Sequence, residues 1–473
     1  MEVKGDREEL VVATLVKKDD DDAPQVTGAV VDAVDVVVNQ TPPPSNSPNP
    51  CSRNRRSMLI FGLLLAVVLV TLSVGFVLVY TLADESDSAE VAVFPSAFPS
   101  TIAPSLSPST APTFSPSTVF YLSVLQEFYN SLRGLSWDFS SGQSHCSFSG
   151  IMCDEDEVHI TEIDLSYYGL RGSLPTEIGM LPSLTTLDLR FNSITGKIPS
   201  ELGMLSSLTS IEVGSNLING TIPTELGMLS SLTTLDLDSN LINGTIPTEL
   251  GTLSSLTSLN LNSNYMTGMI PFELGTLSSL THLWLSDNSI TGKIPSELGM
   301  LSSLTKLYLL SNLINGTMPS ELGMLSSLEV LYLSSNSITG TIPSEIGILS
   351  SLNWLTLEYN SITGTIPSEI GMLSSLEGLH LYNNSINGTI PSEIGILSSL
   401  VWLDIDFNSI TGTIPSEIGM LSSLKWLDLR SPSITGTLPT ELCALTDTTI
   451  YYNETEITCT CIDTSYSEGT PCN

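Results

Sequence analysis

The chain has 473 residues, with 15 Lys and Arg against 50 Asp and Glu and a formal net charge of −35. Phosphate binding needs a basic surface, so this balance excludes nucleic acid as a partner class. The length would suit several domains, yet one internal repeat accounts for most of it.

Residues 1–57 are polar, carry the acidic run Asp19 to Asp22, end in a Pro/Ser/Asn-rich stretch and show no sustained periodicity. Such a segment is predicted to be disordered. Residues 58–82 then run for 25 positions without a charge, enough for a single transmembrane helix with some tilt. Arg53, Arg55 and Arg56 precede this run, and Asp84, Glu85 and Asp87 follow it. The basic flank belongs in the cytoplasm, which predicts a type II signal-anchor with the C-terminal part outside. A cleaved signal peptide is the alternative, but the apolar run is too long and the region before it too extended. Cys51 is a candidate for palmitoylation. The cytoplasmic segment has no glycine-rich phosphate loop and no length for a kinase, so any signal must pass through a partner.

Residues 83–118 are dominated by Ser, Thr, Pro and Ala, with Pro95-Ser96, Pro99-Ser100, Pro108-Ser109 and Pro116-Ser117 recurring. This composition cannot build a core and predicts an extended, O-glycosylated stalk that reaches roughly 100 Å. In residues 119–159, Tyr121, Leu125, Phe128 and Leu132 fall on one face of a predicted helix, which opens a cap.

From 160 to 432 the sequence repeats every 24 residues, opening at Ile160, Leu184, Leu208, Leu232, Leu256, Leu280, Leu304, Leu328, Leu352, Leu376, Leu400 and Leu424. In one coil Leu184, Leu187 and Leu189 point inward from a short strand, while Thr186 and Asp188 point the other way. A single coil cannot bury its leucines. Stacking coils about 4.8 Å apart pairs the strands into a parallel sheet with a continuous core. Asn192, Asn216, Asn240, Asn264, Asn288, Asn312, Asn336, Asn360, Asn384 and Asn408 recur eight positions after the ten openings from Leu184 to Leu400. A buried turn needs both donors and acceptors, so this row is predicted to be a structural ladder. Pro432 breaks it, and residues 433–473 form a C-terminal cap holding Cys443, Cys459, Cys461 and Cys472.

The unit resembles the plant-type leucine-rich repeat, LxxLxLxxNxxxGxIPxxLGxL, over roughly residues 120–432. The resemblance implies an α/β solenoid of about 12 coils with capped ends, whose first strands line a concave binding face. It also implies a second short strand at Gly-x-Ile-Pro, here Gly196 to Pro199, and a convex side formed by Glu-Leu-Gly. Cys146 and Cys153 resemble the paired cysteines of the plant-type N-terminal cap, which implies a disulfide between them. Cys51 lies inside and six cysteines outside, an even external count that suits an oxidising compartment. The last four allow three pairings, and metal binding is their alternative. The chain also resembles plant receptor-like proteins without a kinase, although those place their repeats before the membrane span.

Sequons at Asn219, Asn243, Asn315 and Asn387 share one repeat position, so their glycans are expected along one flank of the solenoid. Asn383 and Asn453 are further sequons, the former beside the ladder.

The scaffold hardly changes between coils, while the exposed strand positions vary strongly. At the central one the coils read Asp164, Asp188, Glu212, Asp236, Asn260, Trp284, Tyr308, Tyr332, Thr356, His380, Asp404 and Asp428. Two positions earlier stand Trp354, Trp402 and Trp426. Solvent-facing aromatics in adjacent strands make a platform for a peptide or a sugar ring; the plain alternative is cross-strand stacking with no ligand. The acidic face of Asp164, Asp188, Glu212 and Asp236 is a solvated surface on one reading and a place for a cation or basic partner on the other.

No catalytic group, cofactor or metal centre is indicated. His282 and His380 stand about four strands apart, roughly 19 Å, too far to share an ion. The sequence therefore predicts a non-enzymatic, membrane-anchored recognition protein that binds an extracellular protein, peptide or glycan, with a membrane co-receptor as a candidate partner. A structural or adhesion glycoprotein is the alternative. The repeats are placed outside the plasma membrane, or in the lumen of the Golgi or another endomembrane.

Overall fold

The computed structural model describes residues 116–445, 448–453 and 456–458, with 116, 117, 443 and 444 by their backbone alone. The span expected at 58–82, the cytoplasmic segment, most of the stalk, and Cys459, Cys461 and Cys472 lie outside the described residues, as does the Cys443 side chain. Among the described residues no helix is long and apolar enough to cross a membrane.

A 14-stranded sheet runs through the repeat array, one strand to a coil. It begins where Ile151–Cys153 pairs antiparallel with Ile160–Asp164, continues in parallel through Thr186–Asp188 and its successors, and ends at Thr449–Tyr452. The register steps by one repeat, so Leu187 faces Ile211 and Leu283 faces Leu307. Leu184, Leu187 and Leu189 are fully buried, as are their equivalents along the array, which gives one unbroken core. Each coil returns through a short 3-10 turn such as Ser200–Met204, entered at Pro199, whose carbonyl accepts from the Leu202 N–H. One large apolar residue of most turns stays exposed, including Met204, Met228, Met300, Met324, Ile348 and Met372.

The second short strand does not lie at Gly196 to Pro199. It lies just before, at Ser193–Thr195, and Gly196 ends it at φ 79°. A left-handed residue turns the chain out of the ladder, which is why glycine stands there.

The asparagine row is a ladder. Asn336 Nδ2 donates to the carbonyls of Leu309, Leu333 and Ser334 at 2.9, 3.1 and 3.1 Å, and its Oδ1 accepts from the Ile314 N–H at 2.9 Å. Each amide thus ties its own coil to the previous one. The residue before it is left-handed without being glycine, for example Phe191 at φ 56° and Ser335 at φ 54°. Such backbone costs about 1 kcal/mol or more and persists where surrounding bonds over-determine it.

The ends are closed differently. A helix at Pro116–Ser131 buries Tyr121, Leu125 and Phe128 over the first coil. Leu132, just past the helix, is buried in a two-residue strand paired with Gly172. Trp137 stacks on Phe148, and Cys146 and Cys153 are joined in a disulfide. At Pro432 the ladder amide is replaced by its neighbour: Ser431 Oγ donates to the Ile405 carbonyl at 3.0 Å.

Candidate functional site

Strand residues alternate, so each coil presents three side chains on the sheet's outer face, at the second, fourth and sixth positions after its opening. The sixth position completes the acidic face. Arg190 stands there, and its guanidinium reaches Asp188 Oδ2 at 2.6 Å and Glu212 Oε2 at 2.6 Å. Asp188 is only 8% exposed, so for Asp188 and Glu212 the positive partner is a side chain of the same face. The cation is built in. Asp164 is exposed, and Asp236 is pushed up to about 6 by burial and by Asp238 beside it, against the Asp238 N–H that it accepts.

The far end repeats the device. Arg430 pairs with Asp428 and with Asp406 Oδ2 at 3.2 Å, and its guanidinium lies 5.3 Å from the Tyr451 ring centre. Asp404, between His380 and Asp428 in register, is pushed up to about 7 by burial and by Asp428.

The aromatic residues lie between these ends in two blocks. Trp284 and Tyr308 are 6.0 Å apart, and Tyr308 stacks on Tyr332 at 4.7 Å. Thr356 then interrupts the column. Beyond it Trp354 stacks on His380 at 5.8 Å and meets Trp402 at 5.1 Å. Trp426 belongs to neither block and packs on Tyr451 at 4.7 Å. The expectation of solvent-facing rings needs correction: all seven site residues, His380 included, are half-buried, because each ring is covered by its neighbour. Burial raises the Tyr308 and Tyr332 hydroxyls above their usual range and lowers His380, so these three side chains carry no charge near pH 7, while Lys306 and Glu358 are the ionisable groups of opposite sign on the same face.

Several polar atoms within this surface are buried without a hydrogen-bond partner among the described residues: Trp284 Nε1, Ser286 Oγ, Thr356 Oγ1 and Glu358 Oε2. Thr356 and Glu358 face the same way, two residues apart, between Tyr332 and His380.

Other features fall elsewhere. Asn219, Asn243, Asn315 and Asn387 are exposed on the flank carrying the second strands, and Asn383 is exposed at a left-handed turn. A cleft lined by Arg133, Gly134, Arg171 and Gly172 opens at the cap, not on the sheet face. His145 approaches Cys146 and Cys153, but the disulfide leaves no thiolate to ligate an ion.

A stack of parallel coils locked by an amide ladder, with one face free to vary, defines a solenoid scaffold of the repeat-protein class. Family models described as leucine-rich repeat match residues 182–242, 230–290 and 302–362, and again 375–397 and 399–421. A leucine-rich repeat protein of Leptospira interrogans is 34% identical, with 61% of this chain and 70% of that one covered and a TM-score of 0.52. The plant peptide hormone receptor RGFR1, in complex with RGF2, is 33% identical over 66% of this chain and 53% of its own, with a TM-score of 0.63. The Arabidopsis receptor kinase HAESA, in complex with the peptide hormone IDA and the co-receptor SERK1, is 27% identical over 72% and 66%, with a TM-score of 0.56. No curated protein matches the sequence. The chain belongs to the leucine-rich repeat family, and it spans about half the length of the RGFR1 chain that it matches.

Proposed function

We propose that the chain is a membrane-anchored, non-catalytic recognition protein whose sheet face binds an extracellular peptide. One observation carries this reading: in coils that otherwise repeat nearly residue for residue, variation gathers on the sheet face, where Trp284, Tyr308, Tyr332, Trp354, His380 and Trp402 make a nearly continuous aromatic strip. The strip crosses five strand intervals, roughly 24 Å, which suits about seven residues of an extended chain. Peptide hormones occupy the complexes of RGFR1 and HAESA, and the latter also holds a co-receptor, which supports a peptide ligand and a second membrane protein here. Glycans at Asn219, Asn243, Asn315 and Asn387 would leave the strip open. The uncharged run at 58–82 supplies the anchor, with the repeats outside.

The test is a pull-down from extracellular medium with the full-length protein, followed by titration of whatever is captured. Saturable binding that Trp354→Ala or Tyr332→Ala weakens about thirtyfold, as expected for a buried aromatic anchor, supports the reading. Capture that never saturates, or that ignores both substitutions, favours an adhesion role. Glycosidase shifts that depend on the four repeat sequons but not on Asn39, the sequon Asn39-Gln40-Thr41 on the N-terminal side of the uncharged run, would support the topology; the reverse pattern would overturn it.

A further inference from the structure

The break in the aromatic strip has its own chemistry. Thr356 replaces a ring between Tyr332 and His380, and at 9% exposure its hydroxyl is buried with no hydrogen-bond partner among the described residues. Two residues on, Glu358 presents a carboxylate whose Oε2 is likewise buried without a hydrogen-bond partner among the described residues, with Ser334 beside it favouring the charged form against burial. Leaving such atoms unpaired is costly, and most for a carboxylate. The arginines at the two ends of the face are engaged with other acids, Arg190 with Asp188 and Glu212, and Arg430 with Asp406 and Asp428.

The surroundings favour a positive charge. Tyr332, Trp354 and His380 border the gap, Tyr382 follows Glu358 in the next coil, and an aromatic face attracts a cation. A lysine or arginine side chain suits such a place because its alkyl stem packs on rings while its head donates several N–H bonds. Burial raises Glu358 above the usual carboxylate range, and an arriving cation would reverse that shift.

We propose that, once the bound peptide displaces the side chains that cover them, Thr356 and Glu358 form a subsite for one lysine or arginine side chain of that peptide, with Glu358 Oε2 and Thr356 Oγ1 accepting its N–H groups. This rests on the peptide reading above. It makes the strip selective for a peptide in which a basic residue is flanked by apolar ones.

The test pans a displayed library of random linear peptides on the immobilised full-length protein, in raised salt so that the chain's overall negative field is screened. Enriched peptides are expected to carry a lysine or arginine at a fixed place. Replacing it by methionine should cost about tenfold in affinity against the native protein and little against Glu358→Gln, the non-additivity of a direct pair. Thr356→Val, which keeps the shape and removes the hydroxyl, should weaken the same peptides by a smaller factor and leave the melt in place. Peptides enriched without a basic residue, yet dependent on Trp354 and Trp402, would overturn the subsite and leave peptide recognition standing. Basic peptides whose affinity both variants leave within about twofold would overturn it too, since only a general charge effect would remain. Failure to enrich any peptide would remove both readings.

Discussion

Trp354 and Trp402 meet with ring centres 5.1 Å apart although a whole coil lies between them, because Gly378 stands at the intervening position. A Cβ at 378 would collide with Cε3 of the Trp354 indole, which lies over the bare backbone. Gly378→Val should therefore swing Trp354 away and separate the pair. Coupled indoles give a paired circular dichroism signal, which this change and Trp402→Phe should both abolish, with the melt shifted by only a few degrees. A signal that survives Gly378→Val would show that the gap does not hold the rings together.

Arg190 carries the charge balance of the first coils. Arg190→Met leaves Asp188, 8% exposed, beside Glu212 with no cation between them. A loss of about 2 kcal/mol is expected, discounted because the guanidinium is partly exposed. Millimolar calcium should barely move the native melt but raise that of the variant through linkage. A native protein strongly stabilised by calcium would mean that Arg190 does not complete the acidic face.

Asp404 predicts a pH dependence. Its folded value is about 7 against the ordinary 3.8, so as pH rises above about 4 the unfolded chain ionises first and stability falls until about pH 7. Below pH 4 the group contributes nothing to the difference. Asp404→Asn should thus match the native protein in acid and exceed its stability at pH 8, with the gap opening between those limits. The groups around it are Asp406, Asp428, Arg430 and His380, and a gap opening only in acid would assign the titration elsewhere.

The ladder should be unforgiving. Asn336→Ala removes three donated bonds and one accepted bond, leaving the Ile314 N–H and the Leu309 carbonyl without that partner. A cost of about 2–4 kcal/mol is expected, with faster amide exchange concentrated in the two coils that Asn336 joins. Uniform exchange along the whole array would mean that the coils do not unfold locally.

The leucine core and the amide ladder were legible because identity at a fixed period is a signal that survives any detail of packing. Leu187 and Asn336 could each be placed before any coordinates. Arg190 and Arg430 were not seen as partners of the acids, although a period of two puts the sixth position on the same face as the fourth. Ring depth was missed for another reason. Alternation tells which way Tyr308 points, but not that Tyr332 in the next coil covers it. The break at Thr356 was visible as a letter, yet its unpartnered hydroxyl depends on what stands beside it in three coils at once. The resemblance implied a second strand at Gly196 to Pro199, whereas in this coil it occupies Ser193–Thr195, whose first residue carries no strong strand preference.

Each ladder amide bonds to the coil behind it in the same way, Asn336 reaching back to Leu309 and Ile314 as Asn312 reaches back to Leu285 and Ile290. From Asn192 to Asn408 the seams therefore share one pattern of backbone bonding. Tandem copies in a gene mispair during recombination, and an exchange in phase removes or adds 24 residues and rejoins seams that already fit. Energetically the change is confined to one neighbour contact. The array can lengthen or shorten by whole coils while its termini stay intact, and each event slides the aromatic strip and the gap at Thr356 relative to one another. A change in coil number would thus remodel the exposed face before any residue on it is substituted.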